Sequence, residues 1–349
     1  MRHVIIMAGG TGGHVYPALA TAKELISRGY SVSWLGAPES FESRLVPQHH
    51  IDFDEIQIKG LRGNGLKRLL SAPWLLSRSL AQALAVMHRR KPALVVGMGG
   101  FASGPGGVAA RLTGTPLVIH EQNAIPGATN RLLAKFAAVV CEAFPGTFSA
   151  SKKVRTTGNP VRAEIAAIAP PAKRMASRKG PLQLLVVGGS LGAAALNEVV
   201  PAAVALIEEQ QRPITGHQSG RGKEQQTLQA YEDAGVKSWV VEYIDDMAEA
   251  YSWADLMICR SGALTVSELA AAGIPSILVP YPHAVDDHQT HNAKYLTDRG
   301  AAIVIQQRDM TPAVLAQKIR MLDRDKLLHL SLIHISEPTR PTRASRMPS

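Results

Sequence analysis

The sequence predicts an α/β protein of two doubly wound domains, each a parallel sheet covered by helices on both faces. Three observations lead there. Short β-branched runs alternate with Ala- and Leu-rich amphipathic segments, which is how βαβ units read. The alternation breaks at a proline-rich basic stretch, 160–181, and then starts again. Glycine-rich turns stand directly behind strand-like runs in both halves, where the carboxyl ends of parallel strands bind ligands. Two nucleotide-type domains facing one cleft are therefore expected.

Taken in order, Val4-Ile5-Ile6 opens a strand at 4–7 that ends in the turn Met7-Ala8-Gly9-Gly10-Thr11-Gly12-Gly13-His14. A helix at 16–28, a strand at 31–35 and a helix at 43–48 follow. A strand at 93–96 enters the second turn, Gly97-Met98-Gly99-Gly100-Phe101-Ala102-Ser103-Gly104, ahead of a helix at 105–113, a strand at 116–120 and a helix at 129–136. In the second half a strand at 182–187 meets the third turn, Gly188-Gly189-Ser190-Leu191-Gly192-Ala193. Further strands are expected at 238–243, 256–259, 276–279 and 302–305. Residues 160–181, with Pro170-Pro171, Lys173, Arg174, Arg178 and Lys179, read as the interdomain linker and its flanks. The expected division is thus 1–160, 161–330 and a tail, 331–349, whose prolines, arginines and Ser/Thr read as disordered.

A chain of 349 residues, 46% hydrophobic, can fill two such cores. Cys141 and Cys259 are far apart and each adjoins an apolar run, the pattern of buried thiols in a reducing compartment and not of a disulfide or zinc framework. No apolar run approaches the ~20 residues that span a bilayer, and the chain enters a strand at once, so a soluble cytoplasmic protein without a signal peptide is expected.

The formal charge of +10 is uneven. The segment 59–91 holds Lys59, Arg62, Lys67, Arg68, Arg78, Arg89, Arg90 and Lys91 with no acidic residue, interleaved with Leu61, Leu66, Leu69, Leu70, Trp74, Leu75 and Leu76. Cations for phosphates and leucines for the headgroup boundary fit an anionic membrane surface. A helix that packs its leucines inward and solvates its arginines fits the helical part equally. The loop Leu61-Arg62-Gly63-Asn64-Gly65-Leu66 favours the membrane, because its leucines flank glycines and follow no helical period. No nucleic-acid-binding motif accompanies the charge.

The first turn offers only part of a dinucleotide fingerprint: Val15 stands where its third glycine belongs, and Trp34-Leu35-Gly36 ends the second strand without an acid. A nicotinamide enzyme is disfavoured. His14, behind that turn, suits a general base or a phosphate ligand. His120-Glu121-Gln122-Asn123, directly after a strand, places four polar groups where a core would not want them. Arg260-Ser261-Gly262-Ala263-Leu264-Thr265-Val266-Ser267-Glu268 reads as a strand end, a turn and a helix whose first amides can hold a diphosphate, with Glu268 placed for a ribose. Asp286-Asp287-His288-Gln289-Thr290-His291-Asn292 reads as a hydrogen-bonding loop for sugar hydroxyls, since adjacent residues cannot all face one metal.

These stretches, with Gly158-Asn159-Pro160-Val161-Arg162, together resemble one family in consistent order up to about Leu330: the bacterial peptidoglycan N-acetylglucosaminyltransferases of the MurG type. The resemblance implies a GT-B fold of two Rossmann-like domains around a central cleft. The first domain, 1–160, would take the acceptor and the membrane; the second, 161–330, would take UDP-N-acetylglucosamine. It implies inverting transfer of N-acetylglucosamine to the 4-hydroxyl of undecaprenyl-diphospho-N-acetylmuramoyl-pentapeptide, on the cytoplasmic face of the inner membrane, with no cofactor, no metal and no nucleic acid. Carried over residue by residue, the donor contacts fall on Thr11, Gly12, Gly13, Asn123, Arg162, Ser190, Ile244, Ala263, Leu264, Thr265, Val266, Ser267, Glu268 and Gln289. Ser190 and the amides of Ala263, Leu264 and Thr265 suit the diphosphate, the Ile244 backbone suits uracil, and Asn123 and Gln289 suit the sugar. His14 is the expected base and Glu121 its rival.

The chain departs from the family at Phe101, where many relatives carry tyrosine, and after Leu330. There Ser331-Leu332-Ile333-His334-Ile335-Ser336-Glu337-Pro338-Thr339-Arg340-Pro341 resembles a translated sequencing adapter and not the family's terminal helix. Weaker packing between the domains is expected from that loss. A UDP-N-acetylglucosamine 2-epimerase shares the fold but needs no basic, apolar membrane segment. A non-enzymatic sugar-nucleotide or membrane-binding protein would not need the cluster at 120–123.

Overall fold

The computed structural model describes residues 2–58 and 65–332, with side chains except at 65–72, 285 and 332. The chain divides after Pro160 into two compact units. The first runs β1 (His3–Met7), α1 (Gly12–Ser27), β2 (Ser31–Gly36), α2 (Phe41–Leu45), β3 (Asp52–Glu55), α3 (Gly65–Arg90), β4 (Leu94–Gly97), α4 (Ser103–Leu112), β5 (Leu117–Glu121), α5 (Ala128–Leu133), β6 (Val139–Glu142) and β7 (Val154–Thr156). Its strands make a seven-stranded parallel sheet in the order β3-β2-β1-β4-β5-β6-β7. Alternate residues of β1 serve opposite faces. Ile5 and Met7 pack with Ala83, Val86 and Met87 of α3, Ala109 of α4 and Leu133 of α5, whereas Val4 and Ile6 pack with Val15, Ala18 and Leu19 of α1 and with Trp34. Covering both faces is what lets the central strands read as unbroken apolar runs.

The second unit opens with α6 (Ala163–Ala166) and α7 (Pro171–Met175), then β8 (Gln183–Val187), α8 (Ala194–Ala205), β9 (Ile214–Gln218), α9 (Glu224–Asp233), β10 (Ser238–Val241), α10 (Met247–Trp253), β11 (Leu256–Cys259), α11 (Ala263–Ala272), β12 (Ser276–Leu278), α12 (His288–Thr297), β13 (Ala302–Val304), α13 (Pro312–Arg320) and α14 (Arg324–Leu332). Its six parallel strands are ordered β10-β9-β8-β11-β12-β13. Counted from each unit's first strand, both sheets share the order 3-2-1-4-5-6, and the first adds one strand beyond it. The chain reverses its winding between β1 and β4 and between β8 and β11, where doubly wound sheets take ligands. All three glycine turns fall at these strands' carboxyl ends.

Several expectations change. Strands β3, β6, β7 and β9 were not anticipated; β3 carries Asp52, Asp54 and Glu55, and β9 carries His217 and Gln218, which break the apolar signature. The expected linker, 160–181, is packed into the second unit. Ile165 and Met175 are buried. Arg174 donates to the carbonyls of Ala272 and Gly273 at the end of α11, where a cation meets the negative end of the helix dipole. Burial lowers the Arg174 guanidinium to about 10, with Arg178 pushing the same way. Arg178 and Arg324 both pair with Asp255, which is fully buried and also accepts the Gln183 N–H. The first two residues of the tail expected from 331 belong instead to α14, which continues to Leu332, and Ser331 is buried. Residues 333–349, including most of the adapter-like stretch, lie outside the described residues. Cys259 is buried, its thiol pushed up to about 12 by burial, whereas Cys141 is only half-buried.

Candidate active site

In the first unit the turn after β1 leads straight into α1, four residues earlier than expected. Thr11 is the N-cap and makes no side-chain capping bond, and no acid occupies the first helical turn, so the helix start faces outward uncapped. The turn is held from several sides. Trp34 Nε1 donates to the Ala8 carbonyl at 3.0 Å, Met98 N–H donates to the Met7 carbonyl at 2.7 Å, and the Ser103 hydroxyl reaches the same oxygen at 3.0 Å. The buried Glu42 of α2 accepts the Gly10 N–H at 3.2 Å. The second turn packs directly on the first. A Cβ at Gly100, where φ is +86°, would lie 2.3 Å from the Gly9 carbonyl oxygen. Part of the glycine content therefore serves turn-against-turn contact, and not a ligand alone. Phe101 is half exposed beside Gly10.

His14 sits in the first turn of α1 with Nδ1 2.9 Å from Gln122 Oε1. The Gln122 amide nitrogen donates to the Met98 carbonyl at 3.1 Å and lies 3.2 Å from His120 Nδ1. His120 Nε2 is 2.9 Å from the Gly158 carbonyl, and burial holds this imidazole below its ordinary pKa, in the neutral form. Glu121 changes role. It is 2% exposed, and its oxygens accept from Asn123 N–H, Asn123 Nδ2, Gly127 N–H and Asn130 Nδ2 between 2.9 and 3.2 Å. A carboxylate with all its acceptor directions spent orients a loop and cannot serve as an accessible base. Its task is to hold Asn123 in place.

In the second unit the third turn is braced by Gln218 of β9. Its side chain accepts the Gly189 N–H at 2.9 Å and donates to the Gly189 carbonyl at 3.1 Å. Gly192, with φ at +70°, leaves no room for a Cβ, which would collide with the Ser219 carbonyl. Ser190 and Leu191 stand exposed at the tip. Ile244 follows β10 and is half-buried. After β11, Gly262 is the N-cap of α11 with no side-chain cap and no acid in the first turn. Asn292 Nδ2 donates to the Ser261 carbonyl, and the buried Ser261 hydroxyl has no partner among the described residues. The helix splits the run 263–268. Ala263, Val266 and Ser267 are buried, so only their backbones can reach a ligand, while Leu264, Thr265 and Glu268 lie half-buried.

Glu268 accepts from Arg162 Nε and Nη2 at 3.1 and 3.0 Å and from the Tyr251 hydroxyl at 3.1 Å. Burial raises its pKa against the pull of Arg162 and Tyr251. Arg260, at the strand end before this helix, braces the next loop. It donates to the Val279 and Pro280 carbonyls and to Gln307, and lies over the Tyr281 ring. Gln289 accepts the Tyr281 N–H at 3.0 Å from the first turn of α12. Asp286 and Asp287 just before it both hold positive φ, a conformation that aspartate adopts more readily than most side chains. Glu42, Gln218 and Tyr251 were missed by sequence reasoning. Each reaches the site from an element remote in the chain, and no motif announces it.

The basic segment is only partly free. Arg89 and Arg90 are spent on Asp54, and Arg90 also reaches Asp52. Burial opposes ionisation of Asp54, yet its bonds to the two guanidiniums hold its carboxyl below the usual range. Further up α3, Trp74 is 63% exposed with Arg78 lying 5.5 Å over its ring, and Leu76 is exposed beside them. The loop at 59–64 lies outside the described residues. Among the described residues no helix is long and apolar enough to cross a membrane.

Residues 4–141 match the glycosyltransferase family 28 N-terminal domain, and 183–334 match the family's C-terminal domain. The chain is 56% identical over 317 residues to the UDP-N-acetylglucosamine–N-acetylmuramyl-(pentapeptide) pyrophosphoryl-undecaprenol N-acetylglucosamine transferase of Azotobacter vinelandii, covering 91% of this chain and 88% of that one. It is 54% identical over 332 residues to the protein of the same name from Marinobacter nauticus, covering 95% and 92%. The crystal structure of Acinetobacter baumannii MurG matches with a TM-score of 0.86 at 47% identity, over 96% of this chain and 94% of that one. The calicheamicin glycosyltransferase CalG4, at 16% identity and a TM-score of 0.66 over 96% and 94%, shares the fold.

Proposed function

The chain belongs to glycosyltransferase family 28, and from that premise we infer that it transfers N-acetylglucosamine from UDP-N-acetylglucosamine to lipid-linked N-acetylmuramoyl-pentapeptide, in peptidoglycan synthesis. Relatives named for this reaction at more than half identity carry the reading, and they leave the 2-epimerase alternative unfavoured. Within it, the residues divide by unit. Thr11, Gly12 and Gly13 surround the uncapped start of α1, with His14 beside them. His14 Nε2 takes the proton of the muramoyl 4-hydroxyl as that oxygen bonds to the anomeric carbon. The bond from that carbon to UDP breaks, its electron pair passes to the β-phosphate oxygen, and the anomeric configuration inverts. Charge on the leaving diphosphate is met by the positive end of the α11 dipole, through the backbone of Ala263, Leu264 and Thr265 in its first turn, and by Ser190.

Glu268 is pre-aligned by Tyr251 and Arg162 to accept ribose hydroxyls, Ile244 borders the uracil through its backbone, and Asn123 and Gln289 hydrogen-bond the sugar. Val266 and Ser267 contribute only through the helix backbone. The acceptor's lipid end brings the protein to an anionic membrane surface through Trp74, Leu76 and Arg78 together with the cations of 59–72. That surface excludes Arg89 and Arg90, which are committed to Asp54 and Asp52.

The test incubates the protein with radiolabelled UDP-N-acetylglucosamine and a short-chain prenyl-diphospho-muramoyl-pentapeptide. Label moving into the lipid-linked disaccharide is the expected result. Conversion of the sugar to its 2-epimer, or binding without turnover, would sink the reading.

A further inference from the structure

We propose that Gln122 is a positioning residue that fixes the tautomer of His14, so that Nε2 carries the lone pair. Two carbonyl groups around this pair can only accept. The Gly158 carbonyl faces His120 Nε2 at 2.9 Å, so that nitrogen bears a proton, and a neutral His120 then has an acceptor at Nδ1. The Met98 carbonyl faces the Gln122 side chain at 3.1 Å, so the amide nitrogen points there. That same nitrogen has a second proton, and His120 Nδ1 receives it at 3.2 Å. A flipped Gln122 would set its oxygen against the carbonyl and the lone pair together. Gln122 Oε1 is therefore an acceptor directed at His14 Nδ1, 2.9 Å away, and Nδ1 must be the protonated nitrogen.

Packing reinforces the choice. A Cβ at Gly99 would lie 2.8 Å from His14 Nδ1, so this edge of the ring is pressed on the Gly99 backbone with Gln122 as its hydrogen-bonding partner. Gln122 itself is 1% exposed and cannot swing away into water. Neutral imidazole has one donor and one acceptor nitrogen, so protonating Nδ1 leaves Nε2 as the acceptor. Orientation by a buried partner is how an imidazole base is kept in the useful tautomer elsewhere, where the wrong one costs about 10⁴ in kcat. The neutral Gln122 does this without a charge.

The inference rests on the reading of His14 as the base, and its test separates the two. Long-range proton–nitrogen NMR of the whole protein at about pH 8, above the ordinary imidazole range, reads the tautomer of His14 directly, with His14→Gln assigning the signal. Expected is a pyrrole-type Nδ1 and a pyridine-type Nε2; the opposite pattern overturns the proposal whatever His14 does in catalysis. In Gln122→Met the fixed pattern should be lost and kcat should fall at least tenfold, with the KM for UDP-N-acetylglucosamine nearly unchanged. An unaltered spectrum in that variant overturns the proposal. In a His14→Gln background the same change should cost no further activity, because its effect passes through His14; an additive loss overturns it. If Gln122→Met does not fold, the wild-type spectrum still decides. Wild-type kcat in His14→Gln would remove the base assignment while leaving the tautomer to the spectrum.

Discussion

Gly100 and His217 show how a single residue is decided by what stands opposite it. Gly100 combines a left-handed backbone with a neighbouring carbonyl that a methyl group cannot share. Gly114 has a similar φ of +70° and open space around it. Gly114→Ala should therefore cost about 1 kcal/mol, the backbone effect alone, and Gly100→Ala clearly more, with a loss of turnover because the first turn must shift. Urea unfolding of the two variants separates these contributions; equal losses would show that the turn-on-turn contact is unimportant.

His217 is wholly buried between the Tyr231 hydroxyl and Asn197 Oδ1, and burial lowers its pKa to about 3. The unfolded chain takes up a proton near pH 6.5 and the folded one does not, so the stability is intact above that pH and is lost as pH falls. The loss approaches about 1.4 kcal/mol per pH unit, or about 2 kcal/mol by pH 5, and stops growing near pH 3. Comparing urea midpoints at pH 7 and pH 5, His217→Gln should show a shallower decline than the wild type. Parallel declines would assign the acid sensitivity to other groups.

At the scale of elements, the strands legible in the sequence are those buried on both faces, such as β1, β8 and β11, whose apolar runs nothing interrupts. Strands β3 and β9 were not legible because their polar residues have partners only in the folded sheet: Asp54 with Arg89 and Arg90, His217 with Tyr231 and Asn197. The same cause hid α6 and α7. Prolines and cations at 160–181 look like a solvated linker until Arg174 finds the end of α11 and Arg178 finds Asp255. Asp255 joins the chain after α7, the start of α14 and the first residue of β8. Asp255→Ala should destabilise the second unit by about 3 kcal/mol, since it strands two largely buried guanidiniums. Thermal unfolding followed by near-ultraviolet circular dichroism measures it, and a change under 1 kcal/mol would show that water replaces the carboxylate.

For the whole molecule, the consequence to measure is attraction to a membrane. Sedimentation with vesicles should show binding when they contain about a third phosphatidylglycerol, and weakening as salt rises past the range where charges are screened. Trp74→Ala should reduce binding severalfold, whereas Arg89→Gln, at a residue already paired with Asp54, should change it little. Equal effects of the two would mean that charge alone attracts the protein.

The amino-acid sequence by itself determined the two parallel sheets, the places where glycine turns meet strand ends, and the family, because apolar periodicity and contiguous motifs are local properties of a chain. The turn into α1 at 11–14 and the start of α11 at 263–268 were legible as local structure for that reason. Tertiary structure alone decided which of the polar residues there remain available. Glu121 is consumed by Asn123, Gly127 and Asn130, Glu268 is aligned by Tyr251, and His14 is oriented by Gln122. A side chain's protonation and direction depend on donors and acceptors brought from distant elements, and those distances come into being only when the sheets are assembled.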